Sequence, residues 1–290
     1  MTFTKRLAIS ALALASVFAL SACTDSGAGA PSAAPVAEAP EFAAGTTMAK
    51  LSEAGKITIG TKFDQPLFGL KGPDGTPVGF DVEIGKLVAA KLGIKPENIQ
   101  WVETVSANRE PFIQNGQVDL VVATYTINDA RKLVVDFAGP YYQAGQDLLV
   151  LAGNKEKITG PEDLAGKAVC TVSGSTSEKN IAAYTTNVLA TDTYSNCLGP
   201  LRSGEVAAVT TDNVILAGLA DQNKDEFEVV DKPFTKEPYG IGLKKDDAEF
   251  RTFINDVLEE SFDDGSWAAA WKATAGKVLD TPTPPAVNRY

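Results

Sequence analysis

The segment Val118–Tyr142, VDLVVATYTINDARKLVVDFAGPYY, constrains the fold more than any other part of the chain. Its apolar run ends at Ala123, and Thr124 and Thr126 follow at the exit. A helix start at Asn128/Asp129 then puts Arg131 in the first turn. A strand leaving a buried sheet presents its last side chains and N–H groups at the sheet's carboxyl edge, where open α/β folds bind ligands. Arginine offers a planar fork that matches a carboxylate through two parallel hydrogen bonds. Hydroxyls, N–H groups and one arginine therefore converge on a crevice suited to a carboxylate. Taken alone, the segment also reads as an ordinary strand–turn–helix with a solvated arginine.

Alternating strands and helices extend this reading in both directions. Ile57–Gly60 reads as a short strand leading to a loop with Lys62 and Pro66. Phe80-Asp81 opens a helix with Asp81 as the expected N-cap; Ile84, Leu87, Val88 and Leu92 recur at helical spacing, and Gly93 stops it. Ile99–Val102 is the next strand, and Arg109 to Gln114 a short helix before the Val118–Ala123 strand. Further on, Ala168–Val172 is a strand, followed by Ser173–Ser177 and a helix expected to run through Leu189. Ser175-x-x-Glu178 fits a capping box, which alone accounts for those two residues. Val206–Thr210 is another strand ending at Asp212, and Phe250–Phe262 and Trp267–Trp271 are helices.

About 220 residues exceed one typical domain, so two α/β lobes are expected. The chain crosses from the first lobe to the second after Tyr142 and returns near Thr235–Tyr239. The expected division is 50–142 with 239–278 in one lobe, 145–236 in the other, and 279–290 as a C-terminal tail.

At the N-terminus, Lys5 and Arg6 precede an apolar stretch, Leu7 to Leu20. It is too short to span a hydrocarbon core of about 30 Å, which needs roughly 20 residues. With Ser21 and Ala22 before the cleavage point, residues 1–22 read as a secretion signal. Leu20-Ser21-Ala22-Cys23 resembles the bacterial lipoprotein box, which implies lipidation at Cys23; an ordinary signal peptide is the alternative. Residues 23–49 then form the lipidated cysteine and a flexible tether, because Thr24 to Thr47 carries few bulky apolar side chains. No later stretch approaches 18 consecutive apolar residues, so none is expected to span a membrane.

The chain carries a net charge of −11, and loss of the cationic Lys5 and Arg6 would take it to −13. That balance argues against nucleic-acid binding, which usually shows a basic patch. It also makes any Lys or Arg placed in a crevice a feature to explain. There is no histidine, which removes Ser-His-Asp and Cys-His catalysis and histidine metal sites together. No metal or cofactor is expected. With Cys23 set aside, Cys170 and Cys197 remain, and an even pair in an exported protein suggests a disulfide, with a free buried pair as the alternative.

Several motifs occur together and in order: Gly79-Phe80-Asp81-Val82, Asn115-Gly116-Gln117 before Asp119-Leu120, Thr126-Ile127 ahead of Arg131-Lys132, Val135-Asp136-Phe137 and Pro140-Tyr141-Tyr142. The pattern resembles the polar-amino-acid substrate-binding lipoproteins of ABC importers, from about Ile57 to about Trp271. The resemblance implies a periplasmic-binding-protein-like type II fold, each lobe a mixed sheet flanked by helices, with two hinge crossings. It also implies that Arg131 holds a ligand's α-carboxylate, assisted by Thr124 and Thr126 and, from the second lobe, Thr176 and Ser177. Asp212 matches the acceptor for the ammonium, with a simple helix N-cap as its alternative. Ile59–Lys62 and Ser106–Arg109 resemble the segments that hold the distal carboxylate in the glutamate/aspartate-binding branch. Lys62, Ser106 and Arg109 are the candidates, Arg109 falling 22 residues before Arg131 as in that branch. Tyr194 stands where Gram-negative members of the branch carry histidine, so its role is left open. Lys62-Phe63-Asp64-Gln65-Pro66 is similar to actinobacterial glutamate-uptake lipoproteins.

The resemblance thus implies a non-catalytic, monomeric, extracytoplasmic receptor, lipid-anchored to the cell membrane, that binds L-glutamate or L-aspartate and delivers it to ABC permease subunits. Their amides are expected to bind less well, because two cations facing an amide stay underpaired. A sensor lipoprotein reporting amino-acid availability to a membrane kinase or other regulatory partner is the alternative, and an enzyme of this fold the remote one.

Overall fold

The computed structural model describes residues 41–290. Two five-stranded mixed sheets organise the chain. In the first, Ile99–Glu103, Ile57–Thr61 and Leu120–Val121 run parallel, and Glu237–Leu243 and Asp136–Ala144 follow antiparallel. The second repeats the scheme: Val188–Thr191, Val169–Val172 and Ala208–Asp212 run parallel, Gln146–Leu151 lies antiparallel beside Ala208–Asp212, and Phe227–Val229 lies antiparallel to Gln146–Leu151. A parallel sheet buries both faces, so its strands lose the alternation of buried and exposed residues. Val169–Val172 and Ala208–Asp212 are buried throughout.

Two connections join the sheets, and they are neighbours. Glu237 pairs with Ala144 and Tyr239 with Tyr142, so the outgoing and returning strands form one ladder. Just beyond it, the Thr235 hydroxyl accepts the Gln146 N–H at 2.9 Å and the Phe234 N–H donates to the Gln146 carbonyl at 2.9 Å. At Gly145 a Cβ would lie 2.8 Å from the Thr235 carbonyl oxygen, which explains the glycine at this close crossing. The arrangement is two-lobed, with both crossings side by side.

The first lobe is filled by aromatics. Trp267 and Trp271 stack at 6.0 Å, Phe80 meets both edge-on, and the Trp267 indole N–H donates to the Tyr141 carbonyl at 2.9 Å. Aromatic pairs of this kind add about 0.5–1.5 kcal/mol beyond the area they bury. The Phe80–Lys91, Ala248–Asp263 and Ser266–Ala273 helices supply these side chains.

Some expectations need correction. Asp81 does not cap its helix: Gly79, at φ 136°, occupies the N-cap, and Asp81 points inward with no exposure. The helix after Ser175 ends at Ile181, and Val188–Thr191 is a strand. Beyond that end the Thr185 hydroxyl donates to the Lys167 carbonyl at 2.8 Å and ties the connection to the second lobe. The expected tether is shorter at its C-terminal end. Thr46 caps the Thr47–Ala54 helix, and Phe42 meets Phe253 edge-on at 5.6 Å. The tail is also held: the Asn288 N–H donates to the Gly139 carbonyl and the Phe137 N–H to the Tyr290 hydroxyl. Among the described residues, no helix is long and apolar enough to cross a membrane. Cys23 and the secretion signal lie outside the described residues.

Cys170 and Cys197 form a disulfide. It pins the Tyr194–Cys197 turn to the middle of the second sheet.

Candidate functional site

The parallel strands of both sheets end at one cleft. Ser106, Arg109, Thr124 and Thr126 from the first lobe face Ser175, Thr176, Ser177, Tyr194, Thr211 and Asp212 from the second. The walls stand close, enclosing about 10 Å³. Of the residues singled out in the sequence, Lys62 and Arg131 do not line this cavity, but each bonds a residue that does, Ser106 and Thr126. Larger hollows exist, one of about 470 Å³ lined by Lys167, Ala168 and Ala207 among others. Those three residues precede their strands, so that hollow sits at the amino edge of the second sheet. No cluster of buried cations converges there, and it is not the place where an α/β fold assembles a binding site.

Thr124 shows how the strand exit is shaped. Its φ of 45° puts a β-branched residue in the left-handed region, a strain of about 1–3 kcal/mol. Asp81 holds it there: the Thr124 N–H donates to Asp81 Oδ2 at 2.7 Å, and the Tyr141 hydroxyl to Oδ1 at 2.6 Å. The Thr124 hydroxyl lies 2.9 Å from Gln65 Oε1 and 2.8 Å from the Ala123 carbonyl, with one proton to share. The bend aims two carbonyls at Arg109, whose Nη1 donates to Ala123 at 3.2 Å and Thr124 at 3.3 Å.

Arg109 and Arg131 share one aromatic ring. Their guanidinium carbons lie 4.3 Å and 5.0 Å from the centre of Tyr125, which supports two like charges by its negative face. Arg131 donates from Nη1 to the Thr126 carbonyl at 2.7 Å, from Nε to Glu110 at 3.1 Å, and from Nη2 across the cleft to the Gly174 carbonyl at 3.3 Å. A guanidinium has five N–H donors, so both Nη nitrogens keep capacity for a carboxylate. The Asn128 side chain accepts the Arg131 N–H at 2.9 Å and so fixes the turn that carries the arginine.

Lys62 donates to the Ser106 hydroxyl at 2.9 Å, and Ser106 in turn faces the cavity. Burial, with Arg109 nearby, lowers Lys62 to about 7. Arg109 is pushed down to about 10 by burial and by Arg131, which leaves it cationic at neutral pH. Burial raises Asp81 to about 7 against the pull of its two hydrogen bonds and of Lys62. Asp81 is thus a buried carboxyl beside the cationic wall that gains or loses its charge near neutral pH.

The opposite wall is acidic and hydroxylic. Asp212 accepts the Tyr239 hydroxyl through Oδ2 at 2.6 Å, while Oδ1 has no hydrogen-bond partner among the described residues. Burial and the neighbouring Glu237 raise Asp212 to about 7. Backbone geometry makes Asp212 the N-cap residue of Asn213–Gln222, yet its side chain makes no capping bond. Tyr194 is buried among Ser175, Ser177 and Thr211, and burial raises its phenol. Ser175 caps Thr176–Ile181 by accepting the Glu178 N–H at 3.0 Å, and Glu178 reaches back to the Gly174 N–H at 2.8 Å. Capping thereby leaves Thr176 and Ser177 facing the cavity.

Sequence reasoning missed Asp81 as a site residue, and it missed Tyr125, Asp64, Glu110 and Tyr239. Asp81 carried a readable signal, since it shares the helix face of Ile84, Gly85 and Val88 at spacings of three, four and seven. A carboxylate on a buried stripe must find partners.

The chain is 43% identical to the glutamate-binding protein GluB of Corynebacterium efficiens over 227 residues, 74% of this chain and 77% of that one. It is 40% identical to the ABC transporter glutamine-binding protein GlnH of Bacillus subtilis over 271 residues, 91% of this chain and 96% of that one. Among solved structures, an ancestral arginine-binding protein bound to glutamine is similar at a TM-score of 0.69 and 37% identity, covering 75% of this chain and 96% of that one. Residues 57–273 match the bacterial extracellular solute-binding proteins, family 3, and the chain belongs to that family.

Proposed function

We propose that this protein is a non-catalytic receptor that captures glutamate or aspartate between its lobes and delivers it to an ABC importer. One observation carries the reading. Buried cations, Lys62, Arg109 and Arg131, stand on one side of the cleft, and a buried carboxylate with an unpartnered oxygen, Asp212, stands on the other. An acidic amino acid presents two carboxylates and one ammonium, which is the complement of that set. In this reading Arg131, Thr124, Thr126, Thr176 and Ser177 hold the α-carboxylate, and Asp212 takes the ammonium. Lys62, Ser106 and Arg109 hold the distal carboxylate, with Tyr194 donating its hydroxyl beside it. The names of the glutamate- and glutamine-binding relatives support an amino-acid ligand.

Admitting a ligand into so narrow a cleft requires the lobes, 50–142 with 239–278 and 145–236, to part about the paired crossings. Hinge closure around a ligand is the established behaviour of binding proteins built this way. A monomer anchored through a lipid on Cys23 completes the proposal, with its body free to meet a permease. Labelling with a fatty-acid analogue should mark the full-length chain and not Cys23→Ala.

The decisive test is calorimetry of the form from Thr24 onward against a panel of free amino acids. Glutamate and aspartate should bind more tightly than glutamine and asparagine. Tighter binding of the amides would overturn the acidic-ligand assignment, and binding of no amino acid would overturn the receptor reading.

A further inference from the structure

Asp64 is not explained by the ligand contacts above. It lies on a small antiparallel ribbon, Asp64–Gln65 with Gly69–Lys71 and Pro77–Val78, that follows Lys62 out of the first sheet. Its Oδ2 reaches across to the second lobe, where it accepts the Tyr194 N–H at 2.9 Å and lies 3.5 Å from the Ser195 nitrogen.

Those N–H groups open the Tyr194–Cys197 turn, and the first N–H groups of any helical turn lack an internal partner. A side chain of the N-cap residue normally accepts one of them. Thr193 holds the N-cap position here, and its side chain makes no capping bond. The cap is therefore supplied from the other lobe. Pro66, two residues on from Asp64, is seated there too: a Cβ at Gly218 would come within 2.6 Å of the Pro66 carbonyl oxygen. The capped turn is the one that carries the Tyr194 phenol into the cleft, and the Cys170–Cys197 disulfide holds its far end.

We propose that Asp64 is a positioning residue that latches the two lobes together by capping the Tyr194 turn in trans, setting the Tyr194 hydroxyl in the cleft and slowing ligand release. The proposal rests on the reading of the cleft as an amino-acid site. The cap forms only when the lobes meet, so its effect belongs to the closed complex and to dissociation, where most affinity differences between related complexes reside.

The experiment uses the form from Thr24 onward with L-glutamate as probe, in wild type, Asp64→Asn, Asp64→Ala, and Asp64→Ala combined with Thr193→Asp. Dissociation is followed by isotopic chase, and amide hydrogen exchange of the Tyr194–Cys197 segment is read both without ligand and at saturating glutamate. Asp64→Ala should release glutamate about tenfold faster, as loss of a charge-assisted hydrogen bond implies. Its association rate should stay within about twofold of wild type, and the segment should exchange faster in the glutamate complex, where the lobes meet. Asp64→Asn keeps an acceptor oxygen and should fall between Asp64→Ala and wild type. Thr193→Asp supplies a cap from the same lobe, so it should restore the slow exchange of the segment but not the slow release. Slow release restored by Thr193→Asp would show that only local capping matters and would overturn the latch, as would unchanged release from Asp64→Ala. A wild type that binds no glutamate would count against the proposed ligand. The exchange arm, run at saturation with whichever amino acid does bind, would still decide whether Asp64 caps the turn.

Discussion

Asp212 and Tyr239 are joined by a 2.6 Å hydrogen bond that links the last residue of a second-lobe strand to the returning crossing. The bond satisfies Oδ2 and leaves Oδ1 without a partner among the described residues. A carboxylate that is half satisfied and buried destabilises the fold and is poised for a cation. Tyr239 also packs against Tyr142 in the aromatic cluster, so the acceptor is held by the core of the first lobe. One tyrosine thus ties the ammonium acceptor to the hinge.

The raised pKa of Asp212, about 7, makes a stability prediction. A group whose folded value lies above its unfolded value contributes stability that is complete below the unfolded value and lost as pH rises through the folded one. Asp212→Asn removes that loss while keeping an acceptor for Tyr239. The melting temperature of Asp212→Asn relative to wild type, without ligand, should therefore climb between pH 5 and pH 8. The expected gain is on the order of 3 kcal/mol, or several degrees. The same variant should bind glutamate at least about thirtyfold more weakly at pH 8. A melting difference independent of pH would show that Asp212 is ionised throughout.

Local patterns and distant partners differed in how readable they were. The Arg109–Gln114 helix and the turn capped by Asn128 follow from neighbouring residues, and the structure has both. The motif order also placed Ser106, Arg109, Thr126, Thr176, Tyr194 and Asp212 near one another, and they surround one cavity. Asp64 and Tyr194 are 130 residues apart and share no period, so nothing local announces their bond. Asp81 was misread because a carboxylate near a helix start has two uses, capping and burial. Only the third dimension brings Thr124 to it. The segment after Ile181 was misread because capping marks where a helix begins and says little of where it ends.

Arg131→Ala should reduce binding of every amino acid to near background, because the α-carboxylate is common to all of them. Arg131→Lys should lose most of the affinity as well, since an ammonium cannot reproduce the planar fork that reaches Thr126, Glu110 and Gly174. The arginine is buried and bonded, so Arg131→Ala should also lower the melting temperature of the unliganded protein, by about 1–3 kcal/mol of stability. Calorimetry beside thermal melts separates the two effects. Most of the affinity retained in Arg131→Ala would leave Arg131 a structural residue only.

The Cys170–Cys197 bond closes a separation of 27 residues. In the chain-entropy description such a loop contributes roughly 3–4 kcal/mol. Replacing both cysteines by alanine should therefore lower the melting temperature by about 10 °C for a domain pair of this size. Glutamate affinity should fall too, because the turn that carries Tyr194 loses its anchor. A melting temperature unchanged within about 2 °C would show that the folded core holds the turn without the bond.

Lys62 and Arg109 carry the sharpest prediction. If they hold the distal carboxylate, Lys62→Met and Arg109→Met should each weaken glutamate far more than glutamine. The two ligands are nearly isosteric and share every contact at the α-carbon, so only the side-chain charge separates them. Loss of one charge-assisted hydrogen bond should cost glutamate about 2 kcal/mol, or about thirtyfold, while glutamine changes little. The two variants should differ in their response to pH. Lys62 stands at about 7, so in wild type part of the preference for glutamate depends on a proton that the empty site gives up as pH rises. Binding glutamate at pH 8 should draw that proton back, because the ligand's carboxylate favours the charged ammonium. Calorimetry in buffers of different ionisation heat should show proton uptake in wild type and in Arg109→Met, and none from this group in Lys62→Met. Between pH 6.5 and pH 8.5 glutamate affinity in wild type should weaken relative to Lys62→Met, since ionisation of Asp212 strengthens the ammonium contact equally in both. Equal losses for glutamate and glutamine in both variants would sink the acidic-ligand assignment. Proton uptake that persists in Lys62→Met would place the titrating group elsewhere, with Asp81 the remaining buried group near neutrality on the cationic wall; Asp212, facing the ammonium, would release a proton instead.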